Sequence, residues 1–314
     1  MSSIRAIVVD PEAPGRLALK EVAAPQAGPA EALVQVKAIS LNRGEAMMAR
    51  VAEAGVRPGW DLAGTVIQQA ANGTGPQSGS RVLGSVPSGS WAEQVAVPTH
   101  RLAELPAHVT FAQGATIPTA GLTAFRALQK GGLLLNKHVL ITGSTGGVGQ
   151  FALQLARLGG ASVVATVRQV HQEKMVREMG ADEVIVGDDL SSGRGYGPYH
   201  LIVDLVGGKM LESAIPQLST GGTCVVAGGS ASSSATIDFM SLIRTGRTTI
   251  YVLNLYTEFD YRPRSEDLAW LAQLVAEQKL HTSIEVETSW HDVGEVAQRL
   301  LRRQFIGKAV LHLA

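Results

Sequence analysis

One segment, residues 138–158, constrains the fold of this chain more than any other. It passes from an apolar, β-rich run (His138–Thr142) through a glycine cluster into an apolar pattern with helical spacing. A bound pyrophosphate needs this order of strand, glycine turn and helix, because glycines let the backbone approach the phosphates and the helix N-terminus faces their charge. The sequence therefore predicts a dinucleotide site here. Its expected lining residues are Ser144, Thr145, Gly146, Gly147, Val148 and Gly149.

Length and charge narrow the class of protein. The 314 residues favour two domains, and 27 Lys and Arg balance 27 Asp and Glu. Because nucleic-acid binding needs clustered positive charge, this balance argues against a nucleic-acid partner. No apolar stretch reaches membrane-spanning length, so we expect a cytoplasmic protein with no membrane partner.

Cysteine and histidine usage argues against a metal site. Cys224 is the single cysteine, which excludes an intrachain disulfide and a four-cysteine zinc lobe. It lies in an apolar run that resembles a buried strand, so we expect a core residue rather than a nucleophile. The eight histidines are scattered, and none forms an HExxH motif.

The hydrophobic pattern changes along the chain. Residues 1 to about 110 have alternating, β-branched runs broken by Pro and Gly, which predicts a mostly β domain. Near-continuous apolar runs then alternate with helical stretches, as in a parallel sheet that is covered on both faces. The expected strands are 138–142, 162–167, 183–186, 200–206, 223–227 and 248–255. Two amphipathic helices (265–278 and 291–303) and a final strand (308–313) follow, and we expect that strand to pair back with the first domain.

The residues after the second of these strands bear on which dinucleotide binds. An NAD site usually places Asp or Glu there to hold the ribose 2′-hydroxyl. Here Val167 is followed by Arg168, and a guanidinium would attract the 2′-phosphate of NADPH. Lys174 is a second candidate for this contact. The alternative is that Arg168 is a solvated loop charge.

Several motifs in one order resemble a known family. They are Ser40-Leu41-Asn42-Arg43, Pro58-Gly59-Trp60-Asp61-Leu62-Ala63-Gly64, residues 115–124 (ATIPTAGLTA), the glycine turn, residues 203–208 (VDLVGG), Gly221-Gly222-Thr223 and Gly307-Lys308-Ala309-Val310. With them the chain resembles the zinc-independent, quinone oxidoreductase-like branch of the medium-chain dehydrogenase/reductase superfamily.

The resemblance implies an α/β fold with two domains. A GroES-like, mostly β catalytic domain would comprise residues 1–113 and 258–314. A Rossmann domain with a doubly wound, six-stranded parallel sheet would comprise residues 114–257 and bind NADP(H). Zinc-dependent relatives carry a ligand histidine where this chain has Trp60, so the resemblance implies chemistry without a metal.

The resemblance also implies roles for individual residues. Asn42 is expected near the nicotinamide, as a donor to substrate or cofactor, or else it caps the following helix. Thr123 is expected at the nicotinamide ribose, or else it is an ordinary helix residue. Asp61 is expected to be structural rather than catalytic. Trp60 and Trp91 either line an aromatic-binding cleft or pack in the core.

Further cofactor contacts are expected at strand ends. Val206 and Gly207 are placed on the adenosine side, and Gly228, Gly229 and Ser230 beside the nicotinamide. Asn254 and Leu255 are candidates to touch the carboxamide. Lys308 either reaches the cofactor or is a surface lysine.

These expectations favour an NADPH-dependent oxidoreductase that transfers hydride to a quinone or an α,β-unsaturated carbonyl. The alternatives are a non-catalytic NADPH-binding regulator, an enoyl-thioester reductase of a biosynthetic pathway, and a zinc alcohol dehydrogenase. Residues 47–57 contain no tyrosine to serve as a proton donor, which weakens the thioester alternative. The apolar run 248–253, at the expected sheet edge, predicts a homodimer.

Overall fold

The computed structural model describes residues 2–193, 195–258 and 264–313. The described residues form two compact units. The first comprises those of Met1–Leu122 and Phe259–Ala314, and the second comprises those of Thr123–Glu258. Among the described residues, the first unit has a seven-stranded and a two-stranded sheet, the second has a six-stranded sheet, and each unit has its own hydrophobic core.

The strands and helices are numbered in chain order. The strands of the first unit are β1 (Ser3–Val9), β2 (Leu17–Ala23), β3 (Glu31–Leu41), β4 (Asp61–Gln68), β5 (Arg81–Ser85), β6 (Gln94–Pro98), β7 (Leu102–Glu104), β14 (Ile284–Ser289) and β15 (Lys308–His312). Those of the second unit are β8 (His138–Ile141), β9 (Ser162–Val167), β10 (Glu183–Val186), β11 (Tyr199–Asp204), β12 (Leu218–Val226) and β13 (Thr249–Val252). The α-helices are α1 (Arg43–Ala49), α2 (Phe111–Thr116), α3 (Leu122–Gln129), α4 (Gly147–Leu158), α5 (Glu173–Glu178), α6 (Gly208–Ala214), α7 (Phe239–Thr245), α8 (Arg264–Ala276) and α9 (Val293–Leu301).

The long strand β3 organises the main sheet of the first unit. It pairs antiparallel with β4, β6 and β15, which confirms that the final strand returns to the N-terminal β region. Ser40 lies opposite Asp61, and Leu41 lies opposite Ala309. An antiparallel strand begins beside the point where its neighbour ends. This register therefore brings Asn42, which follows β3, close to Asp61 and Lys308, the first residues of β4 and β15.

The core of the first unit corrects one sequence-based expectation. Trp91 is 0% exposed and packs in the hydrophobic cluster with Ile7, Val34 and Leu62. A side chain enclosed by its own core cannot line a substrate cleft. Trp91 is therefore a packing residue, the alternative that the sequence left open.

The sheet of the second unit is parallel throughout, in the order β10-β9-β8-β11-β12-β13 within the described residues. By order of appearance this is 3-2-1-4-5-6, the strand order of a doubly wound dinucleotide-binding fold. The strand order reverses between β8 and β11. Ligands of such sheets bind outside the carboxyl ends of the strands at this switch point. The expected six-stranded parallel sheet is confirmed, and Cys224 is buried within it.

Two further features bear on expectations from the sequence: the position of β13 and the character of the helices. The strand β13 lies at one edge of the parallel sheet, as the sequence predicts. None of the described helices combines the length and the apolar character needed to cross a bilayer.

Candidate functional site

The turn between β8 and α4 is built by glycines with different tasks. Gly143 adopts a φ of 63°, a conformation that favours glycine, and Gly146 is the N-cap of α4. A Cβ on Gly149 would lie 2.4 Å from the carbonyl oxygen of Gly143, so only glycine lets the helix pack this closely against the turn. Gly146 itself is exposed, and a Cβ there would meet only the Gly143 oxygen, at 3.4 Å.

The side chain of Ser144 is used inside the protein. Its hydroxyl donates to the carbonyl of Ile141 at 2.7 Å and accepts from the backbone N–H of Thr166 at 3.2 Å. Because Ser144 is fully buried, its side chain cannot contact a ligand, which corrects its assignment as a cofactor-binding residue. Its role is to tie the glycine turn to β9.

A buried carboxyl group fixes the strand ends at the switch point. One oxygen of Asp204 accepts from the Thr142 hydroxyl at 2.6 Å, and the other accepts from the N–H of Gly207 at 2.8 Å. Burial raises the pKa of Asp204, and these donors oppose the shift. The sequence analysis missed the Thr142–Asp204 pair, because 62 residues separate its members and only the parallel pairing of β8 with β11 brings them together.

The cations expected at the 2′-phosphate lie in solvent. Val167 ends β9 and is buried, and Arg168 directly after it is exposed. Among the described residues, the Arg168 guanidinium forms no ion pair. Lys174 on α5 is exposed and lies 3.8 Å from Glu178. Arg168 is therefore available to a ligand, whereas Lys174 already has Glu178 as an ion-pair partner.

The residues after β11 and β12 lie against each other. The backbone N–H of Ala231 donates to the carbonyl of Val206 at 2.8 Å. Gly207 is buried, and a Cβ there would lie 2.2 Å from the carbonyl oxygen of Ser232. Of the expected pair at the adenosine, Val206 is thus the member with exposed surface.

The other expected contacts of the second unit differ in exposure. Gly229 and Asn254 are exposed, whereas Gly228 and Ser230 are half-buried. Leu255 is buried. Thr123 lies in the first turn of α3 and is also buried.

A cluster of polar residues in the first unit, which we call the Asn42 cluster, comprises buried Glu45, Asp61 and Lys308 and half-buried Asn42 and Thr119. The Asn42 amide nitrogen donates to Asp61 at 2.8 Å, and the amide oxygen accepts from Lys308 at 2.6 Å. The second Asp61 oxygen accepts from the backbone N–H of Thr119 at 2.9 Å and from its hydroxyl at 2.6 Å. Lys308 also donates to the carbonyl of Leu41 at 3.0 Å.

The charged members of the Asn42 cluster shift one another's protonation. Burial and the neighbouring Asp61 charge raise the pKa of Glu45 to about 8, although Lys308 and two backbone N–H groups oppose this. Burial raises the pKa of Asp61, opposed by Lys308 and by the donors of Thr119 and Asn42. Burial lowers the pKa of Lys308, opposed by both acids.

The Asn42 cluster bears on two pairs of alternatives left open by the sequence, one for Lys308 and one for Asn42. Lys308 is 4% exposed, so it is not a surface lysine, and its ammonium is held by Asn42 and Leu41. Asn42 is the N-cap of α1, and its own N–H donates to Glu45 at 2.5 Å. The residue as a whole nevertheless remains partly exposed. Capping and ligand contact are therefore compatible roles for this residue.

Trp60 lies beside the start of α1. Its backbone N–H donates to Glu45 at 2.5 Å, and its indole packs on Gly44, where a Cβ would lie 2.6 Å from the ring. Trp60 as a whole is half-buried, so part of the residue's surface is open. No group of three or more His, Cys, Asp or Glu within the described part of the chain is arranged to hold a metal ion.

Comparison with known proteins identifies the family. The alcohol dehydrogenase GroES-like domain matches residues 28–107, and the zinc-binding dehydrogenase family matches residues 147–277. The chain belongs to the medium-chain dehydrogenase/reductase superfamily. Within this family of oxidoreductases it is quinone oxidoreductase-like.

Two relatives and one solved structure illustrate the similarity. The chain is 29% identical to the chloroplastic quinone-oxidoreductase QR1 of Triphysaria versicolor, over 98% of both chains. It is 29% identical to the 2-methylene-furan-3-one reductase of Solanum lycopersicum, over 64% of this chain and 53% of that protein. The mycobacterial Rv1454c complexed with NADPH has the same fold, with a TM-score of 0.87 at 24% identity over 99% of this chain and 100% of that one.

Proposed function

We propose that this protein is an NADPH-dependent oxidoreductase that transfers hydride, without a metal, to a quinone or an α,β-unsaturated carbonyl. The observation that carries the proposal is the glycine turn before α4, at the switch point of the parallel sheet. We assign the second unit, residues 123–258, to NADP(H) binding, with boundaries a few residues later than the sequence suggests. We assign the first unit to the GroES-like catalytic domain.

The turn fits a dinucleotide diphosphate. The first N–H groups of α4 have no intrahelical partner, and exposed Gly146 lets a phosphate approach them closely. Arg168 supplies a cation for a 2′-phosphate just past β9. When bound, the reduced nicotinamide supplies the hydride. A related fold in complex with NADPH supports this choice of cofactor.

The residues that are present support the proposed substrate class. A single cysteine, and Trp60 where zinc-dependent relatives carry a histidine, favour a reaction without a Lewis acid. The reaction then depends on positioning and on hydrogen bonds to the charge that accumulates on the substrate. A conjugated carbonyl or a quinone places that charge on an oxygen, and Asn42 offers an N–H donor. The names of the relatives include both quinone and furanone reductases.

A rate assay with two classes of acceptor tests the function. We expect the purified protein to oxidise NADPH when para-benzoquinone or a linear enone is added. Turnover should survive treatment with a strong chelator, whereas a zinc alcohol dehydrogenase would lose activity. Calorimetric titration with NADPH separates binding from catalysis. Tight binding without turnover of any acceptor would favour a non-catalytic NADPH-binding protein instead.

The preference for NADPH makes a prediction about Arg168. The Arg168→Glu variant should raise the Michaelis constant for NADPH by about 10- to 100-fold, because a charge-assisted hydrogen bond contributes about 1.5–3 kcal/mol. The constant for NADH should change little. Arg244→Glu on α7 is a matched charge reversal in the same unit and should leave both constants unchanged. Equal effects on the two cofactors would contradict the assignment.

A further inference from the structure

Asn42 is a partly exposed residue, but both ends of its amide are held by buried charged groups. The nitrogen donates to Asp61, which is 0% exposed, and the oxygen accepts from Lys308. The amide thus bridges an acid and an ammonium. If the amide turned over, its NH₂ would face the Lys308 ammonium and its oxygen would face the Asp61 carboxyl group. The contacts therefore fix which atom of Asn42 is the nitrogen.

Asp61 and Lys308 are themselves held in place. One Asp61 oxygen is engaged by the N–H and the hydroxyl of Thr119, which leaves the other oxygen for Asn42. Lys308 is anchored a second time on the carbonyl of Leu41. Neither group can turn away without leaving a buried polar group unpaired, which is costly. This arrangement exceeds what capping α1 requires, because a cap uses only a side-chain oxygen and does not need Asp61 on the amide nitrogen.

An asparagine side chain has two N–H donors. Among the described residues, Asp61 is the acceptor that the Asn42 amide nitrogen contacts. One N–H of the Asn42 amide is used in this way, and the second is available to a ligand. The hydrogen bond from Lys308 draws electron density from the amide oxygen. It thereby makes the amide N–H groups stronger donors.

From this arrangement we propose that Asp61 and Lys308 are positioning residues, which hold Asn42 as a fixed N–H donor to the carbonyl or quinone oxygen of the substrate. The inference rests on the proposed function and deepens it, because it names the group that meets the developing negative charge. A donor that is aligned before reaction needs no reorganisation as this charge grows. Asn42 is then the contact residue, and Lys308 and Asp61 act through it.

A double-mutant cycle tests whether Lys308 acts through Asn42. With NADPH and para-benzoquinone, Asn42→Ala should lower kcat by about 10- to 100-fold. Lys308→Met should also lower kcat. Once Asn42 is absent, removing Lys308 should cost nothing further, so the double variant should match Asn42→Ala. Losses that multiply would overturn the proposal, because Lys308 would then act independently of Asn42.

Two variants complete the cycle. Lys308→Arg keeps the positive charge, so its kcat should be higher than that of Lys308→Met. It also replaces Lys308→Met in the same cycle if that variant fails to fold. Arg43→Met is the matched control: it removes contacts of the same helix to the carbonyls of Leu300 and Leu301 and leaves the Asn42 amide contacts intact. It should reduce thermal stability without a change in kcat.

A spectroscopic readout is independent of activity. The chain contains four asparagines, so selective ¹⁵N-asparagine labelling gives four side-chain NH₂ signals in an NMR spectrum. Asn72, Asn136 and Asn254 are exposed, and Asn42→Ala identifies the remaining pair. We expect the Asn42 pair to lie apart from the other three and to move towards them in Lys308→Met. An Asn42 pair that already coincides with the exposed ones would overturn the proposal.

A ligand titration separates this inference from the proposed function. Adding hydroquinone to the NADP⁺-saturated protein should shift the Asn42 NH₂ pair in the wild type and not in Lys308→Met. A protein that reduces no acceptor would disprove the proposed function, and the hydroquinone shift would then decide the inference by itself. Absence of that shift in the wild type would overturn the role of Asn42 as a donor to substrate.

Discussion

Glu45 is a buried carboxyl group in a place where a charge is difficult to accommodate. Its two oxygens accept from the backbone N–H groups of Asn42 and Trp60, so it ties the start of α1 to the residue before β4. Burial and the nearby Asp61 favour its neutral form and raise its pKa to about 8. The folded state therefore binds a proton that the unfolded chain releases at neutral pH.

This pKa predicts how stability depends on pH. Because the folded-state pKa lies above the ordinary 4.5, the stabilising contribution of Glu45 is complete below pH 4.5 and is lost as the pH rises towards 8. The wild type should therefore lose up to about 1.4 kcal/mol of unfolding free energy per pH unit across this window. In Glu45→Gln the slope should be flatter, although overall stability is lower because an amide nitrogen then faces a backbone N–H. Urea denaturation from pH 5.5 to 9 measures both slopes.

The matched control is Glu295→Gln, which changes an exposed side chain on α9 of the same unit. Its stability should follow that of the wild type at every pH. Parallel curves for Glu45→Gln and the wild type would refute the assignment of this pH dependence to Glu45.

Single residues also show where sequence-based prediction succeeds and fails. Asn42 could be selected from its motif, but the partners that hold its amide come from β4 and β15. A lysine 266 residues away cannot be recognised as a partner without the register of β15 on β3. Trp91 and Ser144 could not be placed for a related reason. Whether such a side chain faces a ligand or the interior depends on neighbours that are distant in sequence.

At the scale of elements, two glycines of the β8–α4 turn are needed for different reasons, one for packing and one for the approach of a ligand. Gly149 is needed for packing, because a Cβ there would collide with the Gly143 carbonyl and with Ser144. Gly146 has a φ of −78°, and a Cβ there would lie 3.4 Å from the Gly143 oxygen, so the local backbone does not demand glycine. We propose that glycine is present at position 146 because a larger side chain would keep a phosphate away from the turn.

A pair of alanine variants tests this separation. Gly149→Ala should lower the free energy of unfolding by about 2 kcal/mol, because the helix must move away from the turn. Gly146→Ala should leave the unfolding free energy nearly unchanged and weaken NADPH binding. Denaturation without ligand and calorimetric titration with NADPH measure the two effects. A loss of stability in Gly146→Ala as large as that in Gly149→Ala would contradict the separate roles of the two glycines.

Element boundaries were predictable where apolar runs coincide with strands. The runs at 162–167 and 183–186 match β9 and β10. The run at 223–227 marks only the second half of β12, which begins at Leu218. Its first half is polar and glycine-rich, and it is held as a strand by the pairing of Leu218 with Tyr199. No local hydrophobic pattern reveals such a pairing.

For the whole molecule, the outer side of β13 bears on assembly, because no other strand of the described residues pairs with that side. Val252 on β13 is 74% exposed, and α7, which packs against β12, exposes Phe239 and Ile243. Unpaired backbone groups beside exposed apolar side chains favour pairing with another strand. We expect two copies of the chain to associate through this edge.

Val252→Lys should therefore shift a homodimer towards monomer, because lysine on an edge strand opposes strand pairing. The dimer dissociation constant should rise at least about tenfold, since each 1.4 kcal/mol is a factor of ten. Leu133→Lys is the control, a similarly exposed apolar residue elsewhere in the same unit. Light scattering over a range of concentrations measures the masses. A wild type that is monomeric at micromolar concentration would contradict the expectation.

The pairing of β15 with β3 has a consequence for the order of events during translation. Synthesis of β15, which supplies Lys308, follows that of the entire second unit. A nascent polypeptide on the ribosome can therefore complete the parallel sheet while β3 still lacks one of its neighbours. Until β15 emerges, this edge of β3 is open to incorrect partners, and a premature stop codon before Lys308 would leave it open permanently.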